Sequence, residues 1–337
     1  MSPTVVILLV ASLVAASCAL VGSFLVLRKM ALLGDAISHA VLPGIAIAFL
    51  LTGGRDPIPM VIGAAALGVV TVLLVELAHR TRLLKQDASI GVVFPALFSL
   101  GVILISRYAH MVDLDLDCVL HGEIAYAPWD LLYVDGVSIG PKALWVNGVI
   151  FGVNLLLVTL FYKELKLSTF DPALAASLGF APVLIHYALM TAVSVTVVGA
   201  FESVGAILVV AMLIVPPATA HLLTDRLSVL LALSVALGVL SALSGYGFAR
   251  LSDTSIAGSM ASVSGVVFLL VFLLSPKAGL LARLLRHRRL RLAMSEQLLL
   301  LHLSEDHVGV SIEELARRFT WGSRTLGRVV ARLETRG

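Results

Sequence analysis

The sequence predicts an all-α, polytopic transmembrane protein of eight to nine spans, followed by a small cytoplasmic helix-turn-helix-like domain. Three observations carry that prediction. Long apolar runs recur from residue 3 to residue 275, charged side chains make up only 13% of the chain, and Lys and Arg gather in alternate loops and after Pro276. Soluble domains carry about a quarter charged residues. A chain that is 59% hydrophobic with mean hydropathy +1.03 is therefore no ordinary soluble enzyme.

The apolar runs fall at 3–27, 30–51, 58–78, 89–106, 145–162, 182–200, 203–222, 227–249 and 256–275. Each approaches the 20 or so residues that a helix needs to cross the hydrocarbon core. The stretch from Val183 to Leu223 is nearly continuous, with Glu202 as its best internal break, so one of those two segments is expected to be short or re-entrant if only eight spans form. The first run has no basic leader and no small-residue cleavage site, which predicts a retained first helix.

Orientation follows from Lys and Arg. With Arg28 and Lys29 on the cytoplasmic side, that side also holds Arg80, Arg82, Lys85, Lys163, Lys166 and Arg226, while the other holds Arg55, Arg107, Lys142 and Arg250. Lys277, Arg283, Arg286, Arg288, Arg289 and Arg291 follow the last span, so the C-terminus is expected to be cytoplasmic, near anionic lipid. The net charge of +3 hides a split: residues 276–337 carry 12 Lys/Arg against 6 Asp/Glu, leaving 12 against 15 for the first 275. Three domains follow: a membrane body at 1–276, a basic linker at 277–293 and the small domain at 294–337.

Ionisable groups within a span are costly and so mark function. The second run, ALLGDAISHAVLPGIAIAFLL, carries Asp35 and His39 four residues apart, on one face of a helix. A carboxylate with an imidazole suits Mn²⁺, Fe²⁺ or Zn²⁺ better than Mg²⁺ or Ca²⁺. Pro43 would leave the carbonyl of His39 without its helical partner, and Ser38 adds a third polar group. The structural alternative is that Asp35 and His39 pair only with each other. Glu202 at a span boundary reads as a gate. His186, Glu76 and His221 read as structural or interfacial, and Pro216 with Pro217 as a helix break. The loop at 107–144 is acidic, with Asp113, Asp115, Asp117, Glu123, Asp130 and Asp135, and its His110 and His121 offer only weak metal capture.

Cys18 and Cys118 form no C-x-x-C pair, no G-x-x-x-x-G-K-[ST] phosphate loop is present, and no H-E-x-x-H occurs. ATP chemistry would have to come from a partner. Between the fifth and sixth runs, Asp171 reads as an N-cap, Pro172 as the first helical residue and Gly179 as a C-cap, predicting a short amphipathic helix.

These segments are similar, in order, to the permeases of zinc, manganese and iron ABC importers. The resemblance rests on GDAISHAVLPG, STFDPALAASLGFAP, AILVVAMLIVPPATA and SDTSIAG, within residues 1–276. It implies a helical permease in the bacterial inner membrane that works as a homo- or heterodimer. Expected partners are ATP-binding subunits and an extracytoplasmic metal-binding protein. No cofactor is expected on this chain, only transported Mn²⁺, Zn²⁺ or Fe²⁺, with manganese favoured. Asp35 and His39 would contact the ion. Phe170, Asp171, Pro172, Ala173, Leu174, Ala175, Ala176, Ser177, Leu178 and Gly179 would dock on the ATPase. The tail reads as three short helices, with a Ser311–Glu314 capping box and Arg324, Arg328 and Arg332 on the last. It resembles a winged helix-turn-helix without its wing, so nucleic acid is not an expected partner. The rival expectation is a membrane-bound metal sensor acting through that tail.

Overall fold

The computed structural model describes residues 2–52, 57–81, 83–108, 123–134, 137–275 and 279–282, with Met294 and Gln297. The chain divides into two units, 1–270 and 271–337. Apart from 279–282, Met294 and Gln297, the expected linker and helix-turn-helix-like tail lie outside the described residues, as do Asp113, Asp115, Asp117, Asp135, His110 and His121 of the acidic loop.

Eleven helices follow in chain order among the described residues: α1 (Pro3–Leu27), α2 (Leu32–Thr52), α3 (Pro57–Arg80), α4 (Gln86–Tyr108), α5 (Lys142–Leu160), α6 (Tyr162–Phe170), α7 (Pro172–Ser177), α8 (Pro182–Val204), α9 (Ala206–Leu223), α10 (Leu227–Ser252) and α11 (Ile256–Leu274). All but α6 and α7 are long and apolar enough to cross a membrane, which makes nine candidate spans. Between α4 and α5 the chain forms a short antiparallel hairpin, β1 (Leu131–Val134) with β2 (Val137–Pro141). The sequence had shown only a polar loop there. The division of the long 183–223 run falls at Gly205, three residues beyond Glu202. Gly205 has φ +79, a left-handed conformation that favours glycine and ends α8.

The core is built around α1. Its residues from Val14 to Leu25 are all buried, and it packs against α5, α8, α9 and α10. Such centrality requires small side chains, because helices in lipid associate through close packing rather than through a hydrophobic drive. Ala11, Ala15, Ala16, Ser17, Ala19, Gly22 and Ser23 supply them. On α10, Gly238 faces Ala15 and Ala19, and Ser234 receives a hydrogen bond from Ser23 at 3.2 Å. A second group of helices, α2, α3 and α4, packs mutually, and α8 adjoins both α1 and α3. Gly44 of α2 and Gly63 of α3 meet backbone to backbone, and Gly101 of α4 lies against the ring of Pro43.

Pro216 and Pro217 do not break α9, contrary to the sequence expectation, and Pro43 likewise sits inside a continuous α2. The physical reason lies in the neighbours. Pro217 leaves the carbonyl of Leu213 without its i+4 donor, and that oxygen packs against Gly22 of α1, where an added Cβ would stand 1.9 Å from it. A Cα–H of Gly22 can thus take the place of the missing N–H as a weak donor. Thr219 returns its hydroxyl to Val215 at 2.7 Å, and Ser38 donates to Gly34 at 3.0 Å, so the intrahelical polar groups stay paired in an apolar surround.

A methyl group at Gly22 would drive α1 away from α9. Gly22→Ala is expected to cost about 3 kcal/mol, at the upper end of overpacking penalties, and to lower the melting temperature of the purified protein in detergent. Gly91→Ala in α4 meets nothing within 4 Å and should melt at or above the wild-type temperature. Equal melting of the two variants would show that the α1–α9 contact tolerates side chains.

Candidate metal site and coupling segment

Asp35 lies in the first turn of α2, where the helix dipole favours a carboxylate. His39 follows one turn later, about 10 Å along the helix from Leu32. Its Nε2 is 3.6 Å from Asp35 Oδ1. Two ligands held at the usual 2.0–2.2 Å from one tetrahedral ion would stand about 3.4 Å apart, so the pair has the spacing of two ligands of one ion with little adjustment. His39 is held from the far side by two rings of α4: Phe94, with centroids 5.6 Å apart, and Phe98, edge-on at 6.2 Å. Both polar side chains remain open, Asp35 at 46% and His39 at 38% exposure. Ser38, grouped with them on sequence grounds, is buried and spends its hydroxyl on Gly34, so it is not part of the open pair.

Two ligands do not complete a coordination shell, and among the described residues no group of three or more His, Cys, Asp or Glu could hold a metal ion. Among the described residues, Asp35 and His39 therefore offer part of a coordination shell only.

The segment after α6 folds as the caps predict. Asp171 Oδ1 accepts from the N–H of Leu174 at 2.9 Å, Pro172 opens α7, and Gly179 at φ +87 closes it. The N–H groups of Gly179 and Phe180 return to the carbonyls of Ala176 and Ala175, the pairing of a Schellman cap. The regular helix is shorter than the expected segment 170–179, because Phe170 ends α6 instead. Ala175 is buried, whereas Phe170, Leu174 and Leu178 are 58%, 45% and 58% exposed at four-residue intervals. The segment thus presents apolar knobs outward, a feature that marks interaction sites. Glu202, in the last turn of α8, forms an ion pair with Lys142 at the start of α5; beside it, Asn147 donates to Ser203 at 2.9 Å.

A polar cluster that the sequence did not reveal joins four elements at the other end of α8. Arg28, just after α1, donates from Nε to Thr169 Oγ1 at 3.2 Å and from Nη2 to Ser168 Oγ at 3.1 Å, and its Nη1 is 3.0 Å from His186 Nδ1. His186 Nε2 lies 3.1 Å from Glu76 Oε2, close but poorly aligned, and Glu76 Oε1 is paired with Arg80 at 3.0 Å. Burial pulls the Arg28 guanidinium below its ordinary value, although arginine stays charged. The Glu76–Arg80 pair is visible as an i,i+4 spacing. Arg28 and His186 are 158 residues apart, and no sequence pattern connects them.

Comparison with known proteins agrees with this architecture. The chain is 53% identical to the manganese transport system membrane protein MntD of Bacillus subtilis, over 81% of this chain and 92% of that protein. It is 46% identical to the zinc transport system membrane protein TroD of Treponema pallidum over 99% of this chain and 92% of that one, an alignment that includes the tail. Among solved structures, the PsaBC complex of Streptococcus pneumoniae bound to a Fab matches at 31% identity with a TM-score of 0.69, covering 86% of this chain and 96% of the matched chain. None of these supports the sensor expectation. The sequence profile of the ABC 3 transport family matches residues 3–275, all of the helical body from α1 through α11, and the chain belongs to that family.

Proposed function

We propose that the chain is the permease subunit of a bacterial ABC importer that carries a divalent transition metal into the cytoplasm, manganese first, then zinc or iron. The observation that carries the reading is the open Asp35–His39 pair, two metal-type ligands at ligand spacing on a membrane-spanning helix. The manganese preference rests on relatives such as MntD, and the presence of TroD among them keeps zinc in view. The pair can hold an ion without enclosing it. That suits transport, because a site that binds too completely cannot release its ion.

The remaining ligands would come from a second permease subunit, identical or related, placed so that two α2 helices face each other. The α6–α7 segment and the C-terminus would lie in the cytoplasm, following the Lys/Arg asymmetry. There Phe170, Leu174 and Leu178 would seat in a separate ATP-binding subunit, which supplies the hydrolysis that this chain does not perform. On the opposite side an extracytoplasmic metal-binding protein would deliver the ion, and the Glu202–Lys142 pair would act as a latch between α5 and α8.

In cells expressing the whole transporter, Asp35→Ala and His39→Ala should each cut uptake of one metal among Mn²⁺, Zn²⁺ and Fe²⁺ by more than about tenfold at equal membrane abundance, since losing even an outer-shell partner of a ligand costs about that much. Unchanged uptake would make the pair structural. Leu174→Asp places a charge on the exposed knob and should abolish co-purification of the ATP-binding subunit while leaving the melting temperature of the permease within a degree or two. Retained co-purification would remove α7 from the docking surface.

A further inference from the structure

We propose that Arg28 is the positioning residue that carries movement of the α7 segment to α2, the helix bearing Asp35 and His39. The inference rests on the reading of α7 as the docking helix of an ATP-driven permease. It follows from where the guanidinium sits. On one side it holds Ser168 and Thr169, the two residues before Phe170, and α6 runs into α7 through Asp171, whose N–H returns to Leu167 at 2.8 Å. Ser168 is buried and both hydrogen bonds are half-buried, so this contact is partly shielded from water. On the other side Arg28 caps α1, and only three residues separate it from α2. That turn is tight: Lys29 is left-handed at φ 60, Met30 N–H returns to Leu25 at 2.9 Å, and Leu33 N–H returns to Met30 at 3.0 Å.

The third arm makes the junction rigid. Arginine has no acceptor, so His186 Nδ1 must accept from Nη1; the neutral ring then carries its proton on Nε2, turned toward Glu76. Glu76, 3.1 Å from that Nε2 without a well-aligned hydrogen bond, places the cluster beside α3, which packs along α2. A displacement of α6 and α7 therefore cannot occur without moving Arg28, or breaking its two half-buried hydrogen bonds to Ser168 and Thr169. Lysine could not substitute, because the three partners lie in different directions and need a planar fork of donors with fixed geometry.

The test uses the full transporter, with its ATP-binding subunits and binding protein, reconstituted into liposomes with Mn²⁺ as the probe. The readout is metal moved per ATP hydrolysed. Arg28→Gln is expected to lower that ratio about tenfold, and Arg28→Lys nearly as much, because the fork matters and not the charge. The Ser168→Ala/Thr169→Ala double variant, which removes only hydroxyls and leaves Arg28 in place, should lower it in the same direction and adds little to Arg28→Gln. A spin label on exposed Leu32 should shift on nucleotide binding in the wild type and stay still in Arg28→Gln. An unchanged ratio in the double variant, or a wild-type ratio in Arg28→Lys, overturns the proposal while leaving the transport reading intact. Absence of Mn²⁺, Zn²⁺ and Fe²⁺ uptake by the wild type overturns the transport reading itself, and this inference with it.

Discussion

The backbone carbonyl of Leu213 rests against Gly22, and the body of the protein is arranged so that this contact can exist. In hydrocarbon a carbonyl without a donor costs several kcal/mol, and Pro217 removes the donor that Leu213 would otherwise have. The chain answers with a glycine on α1, which lets α9 approach to backbone distance. The approach in turn requires the neighbouring positions of α1 to be small, and Ala15, Ala16, Ser17, Ala19 and Ser23 are. Once α1 is so slender it can be surrounded, and α5, α8, α9 and α10 gather on it. A second glycine allows a close approach of another kind: Gly101 lets α4 close on the ring of Pro43 itself, next to the helix turn that carries His39.

That second instance bears on the site. Pro43 sits inside a continuous α2, and α4 closes on its ring. Phe94 and Phe98 of α4 then fix the His39 ring. The imidazole is held without being buried, and Asp35 one turn away is also open. A half-exposed carboxylate and imidazole keep their contact with solvent, so neither bears the full desolvation cost of burial.

The Arg28 cluster has the opposite character. Its donors and acceptors are largely satisfied within one chain, across α1, α3, α6 and α8. Interactions of this kind bind elements into one mechanical unit, because breaking any arm leaves a shielded polar group unpaired. The open pair and the closed cluster stand at the two ends of a short stretch, from Arg28 to His39. The first is open to solvent, and the second holds the turn before α2 against the segment before α7.

The sequence by itself determined what depends on local composition. Nine apolar runs became nine candidate spans, the i,i+4 spacing of Asp35 and His39 became a contact, and Asp171, Pro172 and Gly179 capped α7 as their conformational preferences require. Helix ends and same-face pairs are fixed by neighbours within a turn, so they can be read from the chain. Tertiary structure decided the rest. It moved the boundary at 202 to Gly205, ordered β1 and β2 within a polar stretch, kept α9 whole through two prolines and withdrew Ser38 from the open pair. It also brought Arg28 to Ser168, Thr169 and His186 over separations of 140, 141 and 158 residues. These outcomes turn on which atoms of a distant helix lie opposite. Pro217 deprives the carbonyl of Leu213 of its helical donor, and only the packed fold places Gly22 of a distant helix against that oxygen.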